Sequence, residues 1–219
     1  MTSNEVIIID YGISNILSVQ HGFEEIGVNA IITSDPSTIE QAGHLVLPGV
    51  GAFAKAMSAL ENLNLINSIT KAVKNGVPFL GICLGMQMLM DESDEFGVTK
   101  GLGFIPGRVE EISRGKQSNE KIKVPQINWH ELKPSKSGLS WEKSLLHNHS
   151  MSDAVYFVHS FTARPTNDNH VLADYIYLDN RISAVIVKDN IMGCQFHPEK
   201  SGKVGLEILK NFMSLQSKN

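Results

Sequence analysis

The sequence contains few of the features that mark secreted, membrane-bound or nucleic-acid-binding proteins. No run of Lys and Arg forms a basic arm, and the formal net charge of -4 argues against a general nucleic-acid or anionic-membrane binder. Residues 1–5 include no basic residue, and the apolar run at 6–9 is too short for a signal sequence or a membrane span. We therefore expect a soluble, cytoplasmic protein that binds neither nucleic acid nor membrane.

Cysteines, phosphate loops and metal-binding motifs are equally scarce. The chain has only Cys83 and Cys194, and a cytosolic chain with 42% hydrophobic residues has little need of a disulfide between them. Cys194 lies in an apolar run and is interpreted as a packing residue. The chain has no phosphate-loop motif, and His147 and His149 have no cysteine or acidic residue at metal-ligand spacing. We therefore predict no use of ATP, no cofactor and no metal.

The first half of the chain alternates β-branched runs with helical patterns, which is typical of βαβ units and a mostly parallel sheet. Helices are predicted after a cap at Ser14, from Asp35 onward, and at 53–61 and 65–74, with Gly27 and Gly76 as stop signals. Pro48 is expected to end the third strand because it has no N–H. The predicted strands are residues 5–10, 28–33, 44–48 and 77–83.

The second half has short strands and weak helix signals. Asp179-Asn180 and Asp189-Asn190 are predicted hairpin turns, residues 113–120 a polar loop, and Ser201 the cap of a final helix. Because no repeat or linker divides the chain, we expect residues 1–219 to form one α/β domain. Its central, mostly parallel sheet would be flanked by helices, with antiparallel strands in the second half. The strands predicted in that half are residues 108–112, 154–161, 171–178, 181–188 and 191–196.

The motif Gly-Ile-Cys-Leu-Gly at residues 81–85 follows a predicted buried strand and precedes a helical pattern. It is the cysteine version of the G-x-S-x-G turn, in which small residues on both sides of the nucleophile let strand and helix cross closely. Free N–H groups at the helix N-terminus favour thiolate over thiol. Cys83 is therefore a candidate nucleophile, and the alternative is a core cysteine on an ordinary βα turn.

A thiol nucleophile needs a base and a group that orients the base. The sequence Gln-Phe-His-Pro-Glu at residues 195–199 offers both. Pro198 restricts His197 to extended geometry, and residues two apart in an extended chain face the same side, so Glu199 can reach the imidazole. His197 would move the proton and Glu199 would hold its tautomer. Taken singly, His197 could be a surface loop histidine and Glu199 a solvated carboxylate.

An acyl-transfer site also needs donors for a tetrahedral oxyanion. Gly49 and Gly51 flank Val50 at the end of the predicted third strand. The two glycines allow the Val50 peptide to rotate, so that a main-chain N–H could face the oxyanion together with the N–H of Leu84. The alternative is an ordinary glycine turn.

Together these motifs resemble the class I (triad) glutamine amidotransferases, and most closely the glutaminase subunits of imidazole glycerol phosphate synthase in histidine biosynthesis. The resemblance extends over essentially the whole chain. The sequence Pro-Gly-Val-Gly at 48–51 distinguishes these subunits from most triad amidotransferases. The matching stretches follow the family's order and are residues 10–15, 47–53, 81–87, 156–160 and 195–201.

The resemblance implies a flavodoxin-like α/β fold and a triad of Cys83, His197 and Glu199 that hydrolyses glutamine through a γ-glutamyl thioester. Ammonia would pass to a separate (β/α)8-barrel synthase subunit that makes imidazole glycerol phosphate and AICAR. Without the resemblance, the acidic run at 91–95 would be interpreted as a solvated helix end. The implied glutamine-binding residues are Gln87, Glu95, Ser160 and Phe161, and the implied partner-interface residues are Asn15, Trp129, Tyr156 and Lys200.

One segment departs from the family pattern. Where the family usually has His-x-Gly-Trp-Asn, residues 126–130 are Gln-Ile-Asn-Trp-His. Because this segment is expected near the partner, the alternative function is a paralogous subunit that supplies ammonia for amination or amidation of a bacterial surface sugar. A cysteine peptidase or hydrolase of related fold would share the elbow, and an inactive regulatory partner would share the fold. The combination of triad and Pro-Gly-Val-Gly argues against both.

Overall fold

The computed structural model of the chain describes residues 4–12, 15–112, 124–178 and 180–216. Its helices are α1 (Ile16–Glu25), α2 (Pro36–Glu40), α3 (Phe53–Asn62), α4 (Leu65–Lys74), α5 (Leu84–Met88) and α6 (Gly202–Ser214). Short 3-10 turns cover Asp168–His170 and Pro198–Lys200. Its strands are β1 (Glu5–Ile9), β2 (Asn29–Thr33), β3 (Leu45–Gly49), β4 (Phe79–Cys83), β5 (Glu92–Ser93), β6 (Thr99–Lys100), β7 (Gly107–Glu111), β8 (Gln126–Glu131), β9 (Lys133–Pro134), β10 (Ala154–His159), β11 (Phe161–Pro165), β12 (Val171–Tyr177), β13 (Asn180–Lys188) and β14 (Ile191–Cys194).

The main sheet has the strand order β2-β1-β3-β4-β14-β13-β12-β9. Strands β2 through β14 in this order are parallel, and the remaining pairings are antiparallel. Val6 and Ile8 of β1 pack with α1 and α6 on one face, whereas Ile7 and Ile9 pack with α2, α3 and α4 on the other. Burial on both faces explains why β1, β3 and β4 are largely apolar runs. The predicted α/β fold, parallel first and antiparallel later, is confirmed.

Several local predictions are also confirmed. The Asp35 carboxylate accepts a hydrogen bond from the N–H of Thr38 at 2.8 Å, so α2 begins with a side-chain cap. Gly27 and Gly76 lie just beyond α1 and α4 with φ near 80°, the left-handed conformation that ends helices. Asp189, with φ of 55°, forms the turn between β13 and β14. The predictions for Ser14, residues 113–120 and Asp179 lie outside the described residues.

The prediction that Pro48 ends the third strand is wrong by one residue. Leu45 donates its N–H to the carbonyl of Pro78 on the β4 side, and N–H direction alternates along a strand, so position 48 faces β1. The β1–β3 pairing has already ended at Ile8 and Val46. The missing N–H of Pro48 therefore removes no sheet hydrogen bond, and β3 continues.

Three other features differ from the predictions. Residues 91–95 are not a helix end: β5 pairs with β6 in a short hairpin. The predicted strand at 154–161 breaks at Ser160, where the chain leaves the β10–β8 sheet and enters the sheet of order β11-β7-β5-β6. Strand β8 was not predicted, because its residues beyond Gln126 are largely exposed and carry no clean alternation. These side sheets flank the C-terminal ends of β3, β4 and β14, the edge at which open α/β sheets bind ligands.

Candidate active site

Cys83 occupies a sharp turn between β4 and α5. Its φ of 55° and ψ of -110° are a strained conformation for a residue with a side chain. A Cβ on Gly81 would lie 2.6 Å from the carbonyl oxygen of Gly85, and a Cβ on Gly85 would overlap the carbonyl oxygen of Leu47. The close crossing predicted from the Gly-x-Cys-x-Gly spacing is therefore present. Because α5 has only five residues, its contribution to the thiolate is confined to first-turn N–H groups.

Cys83 lies beside a cavity of about 370 Å³. Cys83 is 7% exposed and lines this cavity. The volume suits one small polar molecule. The walls come from the glycine turn after β3, from α5, from the β5–β6 turn and from the β10–β11 junction, and the residues that line it are Val50, Gly51, Cys83, Leu84, Gln87, Glu95, Phe96, Pro125, Val158, His159, Ser160, Phe161 and His197.

His197 and Glu199 form the predicted pair. The Nδ1 atom of His197 lies 2.8 Å from Oε1 of Glu199, and both side chains are almost completely buried. Because a carboxylate only accepts, Nδ1 carries the proton and Nε2 is left for the sulfur. Burial lowers the pKa of His197, but its hydrogen bonds to Cys83 and Glu199 outweigh burial and raise the pKa to about 10. The imidazolium therefore supplies the positive charge that stabilises a thiolate.

Ser201 holds the loop that carries His197. Its hydroxyl donates to the carbonyl of His197 at 2.7 Å and accepts from the N–H of Tyr156 at 3.0 Å. The prediction that Ser201 caps α6 with its side chain is therefore wrong: it is the N-cap residue, but its hydroxyl makes no cap hydrogen bond. The N–H of His197 donates to the carbonyl of Tyr156, also at 3.0 Å, so β10 fixes the loop through two hydrogen bonds.

Asn15, predicted at the partner interface, reaches Glu199. Its Nδ2 lies 3.4 Å from Oε1 of Glu199, and its Oδ1 accepts from the hydroxyl of Ser18 at 2.6 Å. The second carboxylate oxygen of Glu199 is buried and has no hydrogen-bond partner among the described residues. The carboxylate therefore interacts chiefly with His197, and Asn15 links the segment before α1 to this pair.

The glycine turn after β3 is held by a residue to which the sequence assigned no role. The hydroxyl of Tyr11 donates to the carbonyl of Pro48 at 2.7 Å. Gly51 has φ of 99°, a conformation that favours glycine. Val50, Gly51 and Leu84, three of the residues predicted for an oxyanion site, line the cavity. Gly49 does not line the cavity. A Cβ on Gly49 would lie 2.8 Å from the Cβ of Leu84, so the absence of a side chain at Gly49 allows β3 to pack closely on α5.

All four predicted glutamine-binding residues line the cavity. Gln87 is buried and donates through Nε2 to the carbonyl of Phe161 at 3.1 Å. Glu95 accepts the N–H of Phe53, the first residue of α3, at 2.5 Å, which fixes one carboxylate oxygen. Ser160 and Phe161 form the junction between β10 and β11. The structure thus brings the predicted nucleophile, pair and substrate residues together.

Sequence reasoning missed a buried network on one side of the cavity. His159 lies next to the acceptor-only carbonyl of Phe161, 2.7 Å from Nδ1, so Nδ1 is the donor and the Nε2 atom accepts from the Tyr175 hydroxyl at 2.7 Å. Burial lowers the pKa of His159 to about 4, in agreement with this neutral tautomer. Gln195 is also buried and donates towards Cys83. Only the presence of Gln195 and His159 in family motifs could have singled them out.

Of the predicted interface residues, Trp129 and Lys200 are exposed, and Asn15 and Tyr156 are half-buried. Trp129 is 49% exposed and its ring lies 5.9 Å from that of Tyr156, its cross-strand neighbour. Lys200 is exposed on the 3-10 turn after His197. His130, part of the departure from the family pattern, instead packs inward with its ring centroid 4.7 Å from that of Tyr175. Its identity is therefore explained by packing.

Other candidates from the sequence have structural roles. Cys194 is fully buried, and burial raises the pKa of its thiol, as expected for a packing residue. His149 pairs with Asp153 at 2.8 Å. Among the residues that the structure describes, no group of three or more His, Cys, Asp or Glu side chains could hold a metal ion. No helix in the described part of the chain is long and apolar enough to cross a membrane.

Comparisons with known proteins point to one family. A family model described as "Glutamine amidotransferase class-I" matches residues 7–215. The chain is 45% identical over 212 residues to "Imidazole glycerol phosphate synthase subunit HisH 1" of Legionella pneumophila (strain Lens), covering 97% of this chain and 100% of that protein. It is 44% identical over 209 residues to "Imidazole glycerol phosphate synthase subunit HisH" of Geobacter metallireducens, covering 94% and 96%.

Solved structures show the same fold at low identity. A structure described as "Crystal structure of glutamine amidotransferase" has a TM-score of 0.69 at 18% identity, covering 94% of this chain and 98% of that chain. PurLQS from Thermotoga maritima has a TM-score of 0.69 at 19% identity, covering 97% and 98%. By its family match and its similarity to these relatives over nearly its whole length, the chain belongs to the class-I glutamine amidotransferase family.

Proposed function

We propose that the chain is the glutaminase subunit of an imidazole glycerol phosphate synthase and releases ammonia from L-glutamine for histidine biosynthesis. The observation that carries the proposal is the strained elbow of Cys83 beside the buried pair of His197 and Glu199. The relatives that carry the synthase name match 97% and 94% of the chain. In this proposal Cys83, His197 and Glu199 are the catalytic triad.

The first half of the reaction forms a thioester. The Cys83 thiolate attacks the side-chain amide carbon of glutamine, a carbon–sulfur bond forms, and the carbonyl electrons move onto oxygen. His197, which holds its proton at neutral pH because its pKa is raised, protonates the leaving nitrogen. The carbon–nitrogen bond breaks and ammonia departs. A γ-glutamyl thioester remains on Cys83.

The second half restores the enzyme. Neutral His197 takes a proton from water, the resulting hydroxide attacks the thioester carbon, and glutamate leaves as the carbon–sulfur bond breaks. Glu199 keeps the Nδ1 proton in place and stabilises the imidazolium each time it forms. The main-chain N–H groups of Leu84 and Val50 stabilise both tetrahedral intermediates, and such a donor typically contributes about 3 kcal/mol.

Glutamine binding is assigned to the cavity walls. Glu95 places a carboxylate in the cavity, and this charge suits the α-ammonium group of the substrate. Gln87 holds the headgroup, and the main chain at Ser160 and Phe161 receives the α-carboxylate. This arrangement selects a free amino acid with a side-chain amide at the distance that separates Glu95 from Cys83.

The partner in this proposal is a (β/α)8-barrel synthase subunit that forms a heterodimer with the chain in the cytoplasm. Free ammonia is protonated in water and loses its nucleophilicity, so a sealed contact is required. Neither nucleic acid nor membrane takes part. The proposed contact residues are the exposed or half-buried side chains beside the site, Asn15, Trp129, Tyr156 and Lys200.

The alternative acceptor, a bacterial surface sugar, is supported by the exposed Asn128 beside Trp129, where the family pattern has glycine. The two acceptors are distinguished by mixing the chain with the histidine-pathway barrel subunit or with a paralogous synthase from the same genome. We expect the first to stimulate glutamine hydrolysis and to form imidazole glycerol phosphate. Stimulation only by the second would reject the histidine assignment, and Cys83→Ser serves as the inactive control in both mixtures.

A further inference from the structure

A chain of buried amides connects the cavity wall to the sulfur of Cys83. The carbonyl oxygen of Phe161 accepts from Nε2 of Gln87 at 3.1 Å, and the same Nε2 donates to Oε1 of Gln195 at 3.0 Å. The Nε2 of Gln195 lies 3.7 Å from the sulfur of Cys83. Gln195 is completely buried, so water cannot replace these contacts. The interaction at the sulfur is therefore built into the fold.

The direction of these hydrogen bonds is fixed at the Phe161 end. A main-chain carbonyl can only accept, so Gln87 must turn its NH2 group towards it. That NH2 group then meets Gln195, which must present its oxygen to Gln87 and its own NH2 group to Cys83. His159 also donates to the Phe161 carbonyl, at 2.7 Å, and so anchors it from a second side. The group that faces the sulfur is thus always a donor.

This inference rests on the proposed role of Cys83 as nucleophile. We propose that Gln195 is a further catalytic residue, which donates a hydrogen bond to the sulfur of Cys83, favours its thiolate form and fixes its direction of attack. A thiolate accepts hydrogen bonds more strongly than a thiol does. The carbonyl of Val158, 3.9 Å from the sulfur, can accept only from the thiol. Gln195 therefore opposes this main-chain contact, which favours protonation.

The other ionisable groups near the sulfur do not duplicate this role. His197 supplies a positive charge and Glu199 a negative one, both from the loop after β14. Tyr11, two residues after β1, and Cys194 of β14 also interact with Cys83, and burial raises the pKa of both, so they are neutral near pH 7. Among these four ionisable groups, only His197 favours the thiolate, and Gln195 adds an uncharged hydrogen-bond donor.

The test measures the rate of alkylation of Cys83 by iodoacetamide as a function of pH in the full-length chain. We expect Gln195→Met, which keeps the length but removes the donor, to move the midpoint of the profile upward by about one pH unit. At pH values below both midpoints the alkylation rate should fall about tenfold, and kcat should fall by more than the KM for glutamine changes. Overlapping profiles for Gln195→Met and the wild type would overturn the proposal.

Two further variants keep the test decisive. Gln87→Met leaves Gln195 in place but removes the partner that orients it. The midpoint of the alkylation profile should therefore move upward by a smaller amount than in Gln195→Met. An unchanged midpoint would also count against the proposal. Asn190→Leu removes a partly buried amide outside the site, one that donates to the carbonyls of Val73 and Val77. It should lower stability and leave the alkylation midpoint unchanged; a shift as large as that of Gln195→Met would reject the local role.

The two proposals fail in different ways. If Cys83 is not the nucleophile, Cys83→Ser retains glutamine hydrolysis in the presence of the synthase subunit, whatever the alkylation profiles are. If only the role of Gln195 is wrong, Cys83→Ser is inactive and the profile of Gln195→Met is unchanged. Alkylation is read on the peptide that contains Cys83, so modification of Cys194 is excluded.

Discussion

Replacing Gly81 with alanine should force β4 and α5 apart. The added Cβ would lie 2.6 Å from the carbonyl oxygen of Gly85 and 2.7 Å from the nitrogen of Met86, whereas ordinary contacts begin at 3.4 Å. The elbow must therefore open by about 0.8 Å, the difference between 3.4 and 2.6 Å. Both neighbours are main-chain atoms that cannot rotate away. We expect the upper end of the usual overpacking cost, about 3 kcal/mol.

For a chain of this size, such a loss lowers the Tm by about 6–12 °C. Displacement of Cys83 by nearly 1 Å should lower partner-stimulated kcat by about 100-fold. The matched control is Gly43→Ala, because a Cβ there meets no atom within 4 Å; its Tm and activity should stay close to those of the wild type. Calorimetry and a glutaminase assay measure both effects. A Gly81→Ala protein with wild-type Tm and kcat would refute the close crossing.

Three further changes have defined outcomes. Tyr11→Phe removes the hydroxyl that holds the Pro48 carbonyl. It should lower the free energy of unfolding in urea by about 1–2 kcal/mol and lower kcat more than it raises KM. An unchanged kcat would reject the anchoring role. Because the pKa of His197 is about 10 in the folded chain and 6.5 as its ordinary value, its ionisation stabilises the fold fully below pH 6.5 and progressively less as the pH rises through 10. The difference in unfolding free energy between the wild type and His197→Gln should therefore shrink between these pH values, and a constant difference would contradict the raised pKa. Trp129→Ala should change the Tm little, since Trp129 is 49% exposed. Titration calorimetry should show that it weakens binding of the synthase subunit about tenfold or more. An unchanged affinity would contradict its place at the interface.

The sequence could predict those parts of the site that depend on residues a few positions apart in the chain. Gly81 and Gly85 flank Cys83 closely enough for the spacing itself to indicate the elbow. Glu199 reaches His197 because only Pro198 separates them, and the intervening proline limits the backbone. Parallel strands in the first half were equally clear, because burial on both faces produces continuous apolar runs.

The parts that could not be predicted depend on contacts between distant residues. Tyr11 meets Pro48 only because β1 and β3 are adjacent in the sheet, and nothing near either residue in the sequence indicates this contact. Gln87 and Gln195 are 108 residues apart, and their interaction requires the pairing of β4 with β14. Ser201 has the residue type and position of a helix cap, but the carbonyl of His197 competes successfully for its hydroxyl.

The most direct test of the account is to look for the covalent intermediate on Cys83. The chain is mixed with its synthase subunit and glutamine, quenched in acid during turnover and digested, and the peptide that contains Cys83 is weighed by mass spectrometry. We predict a γ-glutamyl group on Cys83 during turnover, its absence after glutamine is exhausted, and no adduct or hydrolysis with Cys83→Ser. Steady hydrolysis by Cys83→Ser, or an adduct found on Cys194 instead, would contradict the proposed triad.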